Sequence, residues 1–283
     1  MKNMKKALSL VLALVMMLAL ASCGSAGTGA ASGSAADSAA ASAPAEGAES
    51  DLAYVQDKGT LVVGITDFEP MDYKDENGEW IGFDADMAAA FAKSLGVKVE
   101  FIEIDWDNKI MELNSKSIDC VWNGMTLTDE VKQSMATSNP YCDNAQVVVV
   151  PADKADQYQD TDSLADLSFA VETVSAGEAE VKNLNLDYTA VSTQADAVME
   201  VSAGSSDACV IDLLMAGAMV GEGTSYPQLT HTVKLNSEQY GVGFRTGSDL
   251  VDSLNEFFAA SYKDGSMQEI AEKYGVQDSL IAQ

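Results

Sequence analysis

Hydrophobic residues along most of this chain alternate between the spacing of a strand and the spacing of a helix. Residues 60–66 (TLVVGIT) form an apolar run that predicts a buried strand. Residues 85–95 place their apolar side chains on one helical face, with Asp84 before them as a cap and Gly96 after them as a stop. A further strand is predicted over residues 97–104. Strands that alternate with helices in this way predict a mainly parallel sheet with helices on both faces.

Residues 117–141 combine a strand, a break and a helix start. The strand is predicted at 118–122, and Asn123-Gly124 is expected to break it, because glycine adopts backbone angles that other residues do not. Thr126 follows with a hydroxyl group, and acidic residues then open a predicted helix, where its dipole favours them. α/β proteins bind polar ligands where a strand ends before a helix. A loop without function would fit this stretch about as well if it stood alone.

The second half of the chain continues the alternation. Strands are predicted at residues 145–150, 169–172, 207–212 and 240–245, and helices at 194–201 and 266–274. The segment LNSKSID at 113–119 recurs as VSAGSSD at 201–207, each time before an apolar strand. This repetition indicates two similar lobes.

The first 22 residues have the pattern of a secretory signal. Lysines precede an apolar run, and Leu20-Ala21-Ser22-Cys23 resembles a lipobox, in which the chain is cut before the cysteine and the thiol carries a lipid. We expect Cys23 to anchor the mature chain outside the cell, and the alternative is an ordinary secretory signal with a chance cysteine. Residues 24–50 are almost all Ala, Ser and Gly, which predicts a flexible tether. No later segment is long and apolar enough to span a membrane.

Charge and composition argue against several classes of function. The net charge of −28 becomes −31 without residues 1–22, which hold three Lys and no acid, and such a surface repels nucleic acid and anionic lipid. With Cys23 lipidated, Cys120, Cys142 and Cys209 form an odd set without CxxC spacing, so we expect buried thiols. The single His231 has no ligand-like spacing around it, so we do not expect a zinc site. The sequence has no GxSxG, Walker or GxGxxG pattern, and we expect no cofactor.

Several segments, taken in order, resemble the extracellular solute-binding proteins of polar amino-acid ABC transporters, the family 3 group. They are the GxLxVGxT pattern at 59–66, NGEWIGFDADMAAAFAKSLG at 77–96, SIDCVWNGMTLTDE and SNPY within 117–141, SSDACVID at 205–212 and EQYGVGFR at 238–245. Each segment is weak alone, and their order and spacing carry the resemblance. It covers residues 55–276.

The resemblance implies an α/β, two-lobed fold of the type II periplasmic-binding-protein class. Each lobe would be a mainly parallel sheet flanked by helices, and two hinge strands would join lobes that close on a ligand like a clamshell. One lobe is expected at residues 51–145 and 237–283, and the other at 146–236. The resemblance also implies a monomer on the extracytoplasmic face of the cell membrane. It would deliver a small polar, amine-bearing solute, an amino acid first, to an ABC permease.

Four ligand contacts in the first lobe follow from the resemblance, residue by residue. Phe68 and Trp106 match the aromatic residues that hold the ligand side chain between them, and aromatic faces also attract cations. Either residue could instead be a core aromatic, Trp106 above all. Gly124 and Thr126 match residues that bond the ligand through the backbone and a hydroxyl group.

The other lobe is expected to supply the charge recognition. Ser175 matches the helix start that meets the ligand carboxylate with its free N–H groups. Asp212 matches the acid that binds the α-ammonium group, and its alternative role is that of a helix cap. Asp67, Glu69 and Glu172 would make the cleft unusually acidic if they face it together with Asp212, which favours a cationic ligand.

One departure from the family pattern concerns the ligand carboxylate. Val131 stands where the family carries an arginine that grips this group in a two-pronged bond. The only arginine in the sequence, Arg245, fits a hinge position rather than the cleft, and Val174 replaces a small residue. A carboxylate would then rely on hydroxyl groups, backbone N–H groups or a nearby lysine such as Lys132. We therefore expect a ligand with net positive charge, or an amine without the standard carboxylate contact.

Two other functions stay open beside transport. Some proteins of this fold are dehydratases that use acids in the cleft as general acid and base. Those enzymes also need a cation for the substrate carboxylates, and none is expected in this cleft, so we expect a binding protein and not an enzyme. A sensor that signals through a membrane partner has the same sequence features as a transport protein.

Overall fold

The computed structural model describes residues 50–283, so the expectations for the signal at 1–22, for Cys23 and for the tether up to residue 49 lie outside the described residues. The helices of the described part are α1 (Asp51–Lys58), α2 (Phe83–Ser94), α3 (Lys109–Asn114), α4 (Asp129–Ser134), α5 (Ala176–Asn183), α6 (Gln194–Ala203), α7 (Leu213–Met219), α8 (Leu250–Asp264) and α9 (Ser266–Tyr274). The strands are β1 (Thr60–Ile65), β2 (Tyr73–Lys74), β3 (Trp80–Ile81), β4 (Lys98–Glu103), β5 (Cys120–Thr126), β6 (Ala136–Thr137), β7 (Cys142–Asn144), β8 (Gln146–Pro151), β9 (Ser168–Glu172), β10 (Asp187–Val191), β11 (Ala208–Asp212), β12 (Leu229–Lys234) and β13 (Glu238–Phe244).

Two large sheets carry the fold. The first has the strand order β4-β1-β5-β13-β6, and β7 also pairs with β13. The second has the order β10-β9-β11-β8-β12. In each sheet three neighbouring strands run parallel, as the alternation of strand and helix predicts. The other strands pair antiparallel.

The chain passes between the two sheets at two places. β7 of the first sheet leads through Ala145 into β8 of the second, and β12 of the second leads through residues 235–237 into β13 of the first. The antiparallel pairs arise here, because a strand that arrives from the other sheet does not come from a helical crossover. The two-lobed α/β fold expected from the sequence is confirmed.

Apolar side chains cover both faces of each sheet. Leu61, Val63 and Ile65 of β1 pack into one buried cluster, whereas Val62 between them packs into another. Alternate residues of β8 likewise divide between two clusters. Side chains of a strand point to opposite faces in turn, so this division buries the strand on both sides. The strand ends are thereby held by packed cores.

The predicted break at Asn123-Gly124 is wrong, because β5 continues through both residues to Thr126. Residues 122–124 lie opposite the single Val242, since Gly241 pairs with Met125 and Gly243 pairs with Val121. The strand absorbs the glycine as a bulge, which bends a strand without ending it. Its polar residues therefore lie on a strand and not on a loop.

Asp84 does not cap a helix. α2 begins at Phe83, one residue earlier than Asp84, and no side chain caps it. The Asp84 carboxylate is fully buried and accepts hydrogen bonds from Gly124 N at 2.6 Å and from the Tyr141 hydroxyl group at 2.7 Å. These partners come from other segments, so a pattern in the local sequence could not reveal them.

The repeated segments at 113–119 and 201–207 end in the same structural device. Asp119 N donates to the carbonyl oxygen of Val62, and the Asp119 carboxylate accepts from Val62 N. Asp207 makes the same two bonds with Ser168. In each sheet an aspartate thus joins the start of a central strand to its neighbour, which supports the expectation of two similar lobes.

The expectation for the cysteines is met in the described part of the chain. Cys120, Cys142 and Cys209 are buried free thiols, and burial raises the pKa of each. Among residues 50–283, no helix has both the length and the apolar character needed to cross a membrane.

Candidate functional site

A cavity of about 380 Å³ lies between the two sheets, at the carboxyl ends of their parallel strands. The first sheet contributes Thr66 after β1 and the last residues of β5. The second contributes Glu172, the last residue of β9, and Asp212, the last residue of β11. This size and this position in α/β folds are typical of a site for a small molecule.

All six residues that the resemblance assigns as ligand contacts line this one cavity: Phe68, Trp106, Gly124, Thr126, Ser175 and Asp212. Among the four acids, only Glu172 and Asp212 line it. Asp67 lines a neighbouring, more open hollow, and Glu69 is in neither lining. Three exposed acids outside that set of four also lie at the cavity wall, namely Asp107, Asp129 and Glu130. The buried acidity therefore comes from two carboxyl groups.

Phe68 and Gly124 fit against each other in the cavity wall. Gly124 has a φ of +54°, which favours glycine, and a Cβ at this position would lie 2.5 Å from Cε1 of Phe68. Phe68 is 3% exposed, and its ring meets the edge of Tyr240 at 6.2 Å between centroids. Phe68 is thus both a core aromatic and a cavity wall. The N–H of Gly124 donates to the carboxylate of Asp84, so it is not free to bond a ligand.

Trp106 carries a lysine on its ring. Nζ of Lys109 lies 4.5 Å from the centroid of the Trp106 ring, within the range of a cation–π contact. The same Nζ donates to the carbonyl oxygen of Trp106 at 3.0 Å and to that of Val174 at 3.5 Å. Both side chains are buried and both line the cavity. Like Phe68, Trp106 therefore serves the core and the cavity at once.

Lys109 is the functional candidate that the sequence analysis missed. Burial lowers the pKa of its ammonium group to about 8, while the carboxylates of Glu172, Glu130 and Asp107 act in the opposite direction. A signal was present, since Trp106 and Lys109 stand three residues apart at a helix start and such residues share a face. Lys132, the lysine that the sequence favoured, is exposed and does not line this cavity.

Asp212 is a buried carboxylate with several donors around it. Its Oδ1 accepts from the Tyr240 hydroxyl group at 2.6 Å and from Nδ2 of Asn144, and its Oδ2 accepts from Nε2 of Gln194 at 2.6 Å. Burial and the carboxylate of Glu238 raise its pKa, and the donors oppose this rise. The alternative role of a helix cap is not realised: Asp212 precedes α7, but its side chain makes no capping bond.

Glu172 is the second buried carboxyl group. It is 3% exposed, and its Oε1 has no hydrogen-bond partner among the described residues. Burial, and then the carboxylate of Asp212, raise its pKa to about 8. A buried carboxyl oxygen without a donor is costly, so this atom is suited to accept a bond from a ligand.

Thr126 connects the cavity to the hinge. Its hydroxyl group donates to Oε1 of Glu238 at 2.8 Å, and the same oxygen accepts from Asn144 and Gln146 on the first crossing. Oε2 of Glu238 accepts from Asn236 on the second crossing. The hydroxyl proton of Thr126 is therefore used in the bond to Glu238, while the hydroxyl oxygen can still accept a hydrogen bond from a ligand.

Ser175 caps the helix that starts at the cavity. Its Oγ accepts from Glu178 N at 3.0 Å, and α5 begins at the next residue, Ala176, which also lines the cavity. Val174, just before, has a φ of +54°, an uncommon angle for a branched residue. The N-terminal end of a helix favours an anion.

Neither position considered for an arginine supplies a guanidinium group to the cavity. Val131 lines the wall and is buried there. The expected hinge position of Arg245 is wrong, because Arg245 follows the end of β13 that is remote from the crossing at 235–237. Its guanidinium group pairs there with the carboxylates of Asp51 at 2.9 Å and Asp119 at 3.5 Å. Within residues 50–283, Lys109 is the one basic side chain in the cavity lining. The same part of the chain has no group of three or more His, Cys, Asp or Glu side chains that could hold a metal ion.

Comparison with family models gives a match over residues 61–277 to the bacterial extracellular solute-binding proteins, family 3. Curated relatives include the L-cystine-binding protein TcyJ of Escherichia coli (strain K12), 28% identical over 80% of this chain and 86% of that protein. A probable histidine-binding protein of Neisseria gonorrhoeae is 30% identical over 75% of this chain and 81% of that protein. The arginine-binding extracellular protein ArtP of Bacillus subtilis (strain 168) is 27% identical over 77% of this chain and 86% of that protein.

Solved structures of amino-acid-binding proteins also superpose on this chain. A mutant of ArgBP from T. maritima superposes with a TM-score of 0.75 and 32% identity, over 80% of this chain and 99% of the other. An ancestral amino acid-binding protein, described as a precursor of cyclohexadienyl dehydratase, superposes with a TM-score of 0.73 and 33% identity, again over 80% and 99%.

Proposed function

Because the chain belongs to the bacterial extracellular solute-binding proteins of family 3, we propose that it is the lipid-anchored binding component of an ABC importer for amino acids or related amine-bearing solutes. The observation that carries the proposal is Asp212, a buried carboxylate that faces a cavity between two lobes. An ammonium group bonded to such a carboxylate gains a charge-assisted hydrogen bond that water does not weaken.

The solute lies with its ammonium group near Asp212 and Glu172 and its side chain against Phe68 and Trp106. Oε1 of Glu172, which lacks a donor within the described residues, supports this placement. With two buried carboxylates and one ammonium group, from Lys109, the inner charge is −1 when all three are ionised, so a solute of net charge +1 balances it. Basic amino acids therefore come first and acidic ones last. The names of relatives that bind arginine or histidine support this order.

Closure on the solute takes place at the two crossings. We take residues 51–145 with 237–283 as one lobe and 146–236 as the other. Glu238, which accepts bonds from both crossings, lies at the pivot. Gly124, Thr126 and Trp106 belong to one lobe, and Ser175, Glu172 and Asp212 to the other, so a bound solute bridges the lobes.

The anchor and the partner complete the proposal. Lipid on Cys23 holds the mature chain, as a monomer, at the extracytoplasmic face of the membrane, where a permease receives the solute. Leu20-Ala21-Ser22-Cys23 supports the anchor. Mass spectrometry of the membrane-bound protein should find a lipidated cysteine at the N-terminus, and a mature chain that begins elsewhere without lipid contradicts it.

An enzyme of the dehydratase kind is the second candidate. Lys109 and Glu172 each have a pKa of about 8, near the value that suits general acid–base catalysis. One solved neighbour is an ancestral amino acid-binding protein that is described as a precursor of cyclohexadienyl dehydratase, so this fold is a starting point for such an enzyme. A cyclohexadienyl dehydratase assay separates the two, because the binding protein turns over no substrate. A sensor role has the same cavity, and uptake of radiolabelled solute in cells that lack the protein distinguishes it from transport.

A thermal-shift screen of amino acids and amines tests the binding proposal. A solute at ~1,000 times its Kd stabilises the folded protein by about 4 kcal/mol, which for a body of this size is on the order of 8–16 °C. We expect the largest shifts with arginine, histidine, lysine or small amines. If glutamate or aspartate gives the largest shift and the cations give none, the charge argument is wrong.

A further inference from the structure

Recognition of an α-amino acid needs a group that holds the carboxylate, and the positions that the sequence analysis considered do not supply a cation for it. Position 131 is a valine, Lys132 is exposed and does not line the cavity, and Arg245 is paired with Asp51 and Asp119. Without a positive partner, a carboxylate in a cavity that contains Glu172 and Asp212 would be repelled. The described residues leave one candidate, Lys109.

The position of Lys109 suits this role. Its Nζ lies against the carbonyl oxygen of Val174, the residue that precedes the cap of α5. The start of α5 favours an anion through its N–H groups and its dipole. An anion at the start of α5 therefore lies beside the ammonium group of Lys109 as well. The ammonium group of Lys109 has three N–H donors. Two of them point to the carbonyl oxygens of Trp106 and Val174, which leaves one for a ligand.

The surroundings of Lys109 also limit its movement. The ring of Trp106 lies under Nζ, and the side chain is 5% exposed. A charge that is fixed and shielded from water acts more strongly on an anion than an exposed lysine does. Lys109 and Val131 line the same cavity, and Glu130 is one of the charges that act on Lys109. Lys109, the first residue of α3, therefore supplies a positive charge to the same cavity that Val131 of α4 lines without one.

We propose that Lys109 binds the α-carboxylate of the solute and so determines that the solute is an α-amino acid rather than an amine without a carboxylate. The inference rests on the proposed function, because it assigns a part of the same site. It distinguishes an α-amino acid from an amine without a carboxylate, both of which the absence of an arginine at position 131 allows.

Pairs of ligands that differ only in the carboxylate test this role. The full chain is purified as wild type, Lys109→Met and Lys132→Met, and its affinities are measured by calorimetry for L-arginine and agmatine, L-histidine and histamine, and L-lysine and cadaverine. In the wild type we expect the amino acid of the cognate pair to bind on the order of 10- to 100-fold more tightly than its amine. Lys109→Met should lose most of this preference by weakening the amino acid and not the amine. Lys132→Met, the matched control outside the cavity, should keep it.

Lys109→Arg and Lys109→Gln separate charge from packing. The first should retain most of the preference and the second should lose it, and both keep a long side chain over Trp106 should the methionine variant fold poorly. A wild type that binds amine and amino acid equally, or a Lys109→Met that keeps the full preference, overturns this inference and leaves the proposed function intact. A wild type that binds no member of the panel overturns the proposed function and this inference with it.

Discussion

The hydroxyl group of Tyr240 donates a hydrogen bond of 2.6 Å to Oδ1 of Asp212. Tyr240 lies on β13 of the first sheet and Asp212 ends β11 of the second, so the bond joins the two lobes at the proposed ammonium site. Both residues are buried, and Tyr240 also supports the ring of Phe68. In the proposed function, ligand binding and the contact between the lobes therefore share one carboxylate.

Tyr240→Phe should weaken amine binding although no ligand contact is removed. The pKa of Asp212 is raised by burial and lowered by this hydroxyl group, so its loss raises the pKa further and favours the neutral acid. We expect an affinity about 5- to 30-fold lower at neutral pH, on the order of 1–2 kcal/mol. Calorimetry measures it, and Tyr262→Phe on the exposed side of α8 is the control. Equal affinities for wild type and Tyr240→Phe would show that the bond has no part in binding.

Asp212→Asn should cost more than the tyrosine variant, because it removes the charged partner while it keeps the shape. The expected loss is roughly 1.5–3 kcal/mol for a ligand that carries an ammonium group. Trp106→Ala should also weaken binding. Asp67→Asn is the matched control, since Asp67 follows β1 but lines a different hollow. An Asp67→Asn variant that loses as much affinity as Asp212→Asn would move the site to that hollow.

Affinity for a carboxylate-free amine such as cadaverine should rise with pH. Burial raises the pKa of Glu172 to about 8 and also raises that of Asp212, so the free cavity holds protons near pH 7. An ammonium group favours the ionised acids, and its binding releases protons until the pH exceeds the pKa of the free acids. Between about pH 6 and pH 8 the affinity should increase by up to ~10-fold per pH unit for each released proton.

Calorimetry in buffers of different ionisation enthalpy counts the released protons. Glu172→Gln should flatten the pH dependence and reduce the count, because its amide does not titrate. A pH profile that is flat in the wild type shows that both acids are ionised before the ligand arrives.

The buried pair of Asp72 and Asp84 should make folding stability depend on pH. Burial raises the pKa of Asp84 to about 7, and burial together with the Asp84 carboxylate raises that of Asp72. These raised values mean that the folded state keeps protons that the unfolded state releases. The stability they contribute is fully present below about pH 4 and is lost as the pH rises through about 7.

Asp72→Asn should therefore raise Tm at pH 7.5 and change it little at pH 5. Its carboxamide oxygen still accepts from Asn123 Nδ2, as Oδ2 of Asp72 does at 2.8 Å. We expect a gain of about 1–2 kcal/mol, or ~2–8 °C. Asp57→Asn on the exposed side of α1 serves as the control. A lower Tm for Asp72→Asn at pH 7.5 means that the pair stabilises the fold in its charged form.

The sequence was sufficient for the fold because its apolar periods are local. The run at 60–66 and the helix at 85–95 need only their own residues to be recognised, and both appear within two residues of the predicted bounds. The antiparallel partners of β5 and β8 depend on where the chain crosses between sheets, which no local period encodes. Asn123-Gly124 was misjudged because its strand is held by Asp84 and by the ring of Phe68, distant in sequence.

The site could be predicted in part. Asp212 and Ser175 end a strand and begin a helix, so their position at the cavity follows from local pattern and resemblance. Lys109 was missed because a lysine at the start of a helix is most often exposed, and only the fold reveals that Trp106 and Val174 enclose it. Asp67 and Glu69 flank Phe68 in sequence, but neither shares its cavity. Asp67 lines the neighbouring hollow, and Glu69 lies in the turn that follows Phe68.

The placement of the three tryptophans makes intrinsic fluorescence a probe of both ligand binding and folding. Trp106 lies in the cavity wall, whereas Trp122 is fully buried among aromatic residues and Trp80 lies on the short hairpin under Lys74. Indole emission responds to the polarity of its surroundings, so a solute that enters beside Trp106 alters one emitter of three. The other two report the integrity of the fold and serve as an internal reference. Occupancy and unfolding are thus separable in a single unlabelled sample.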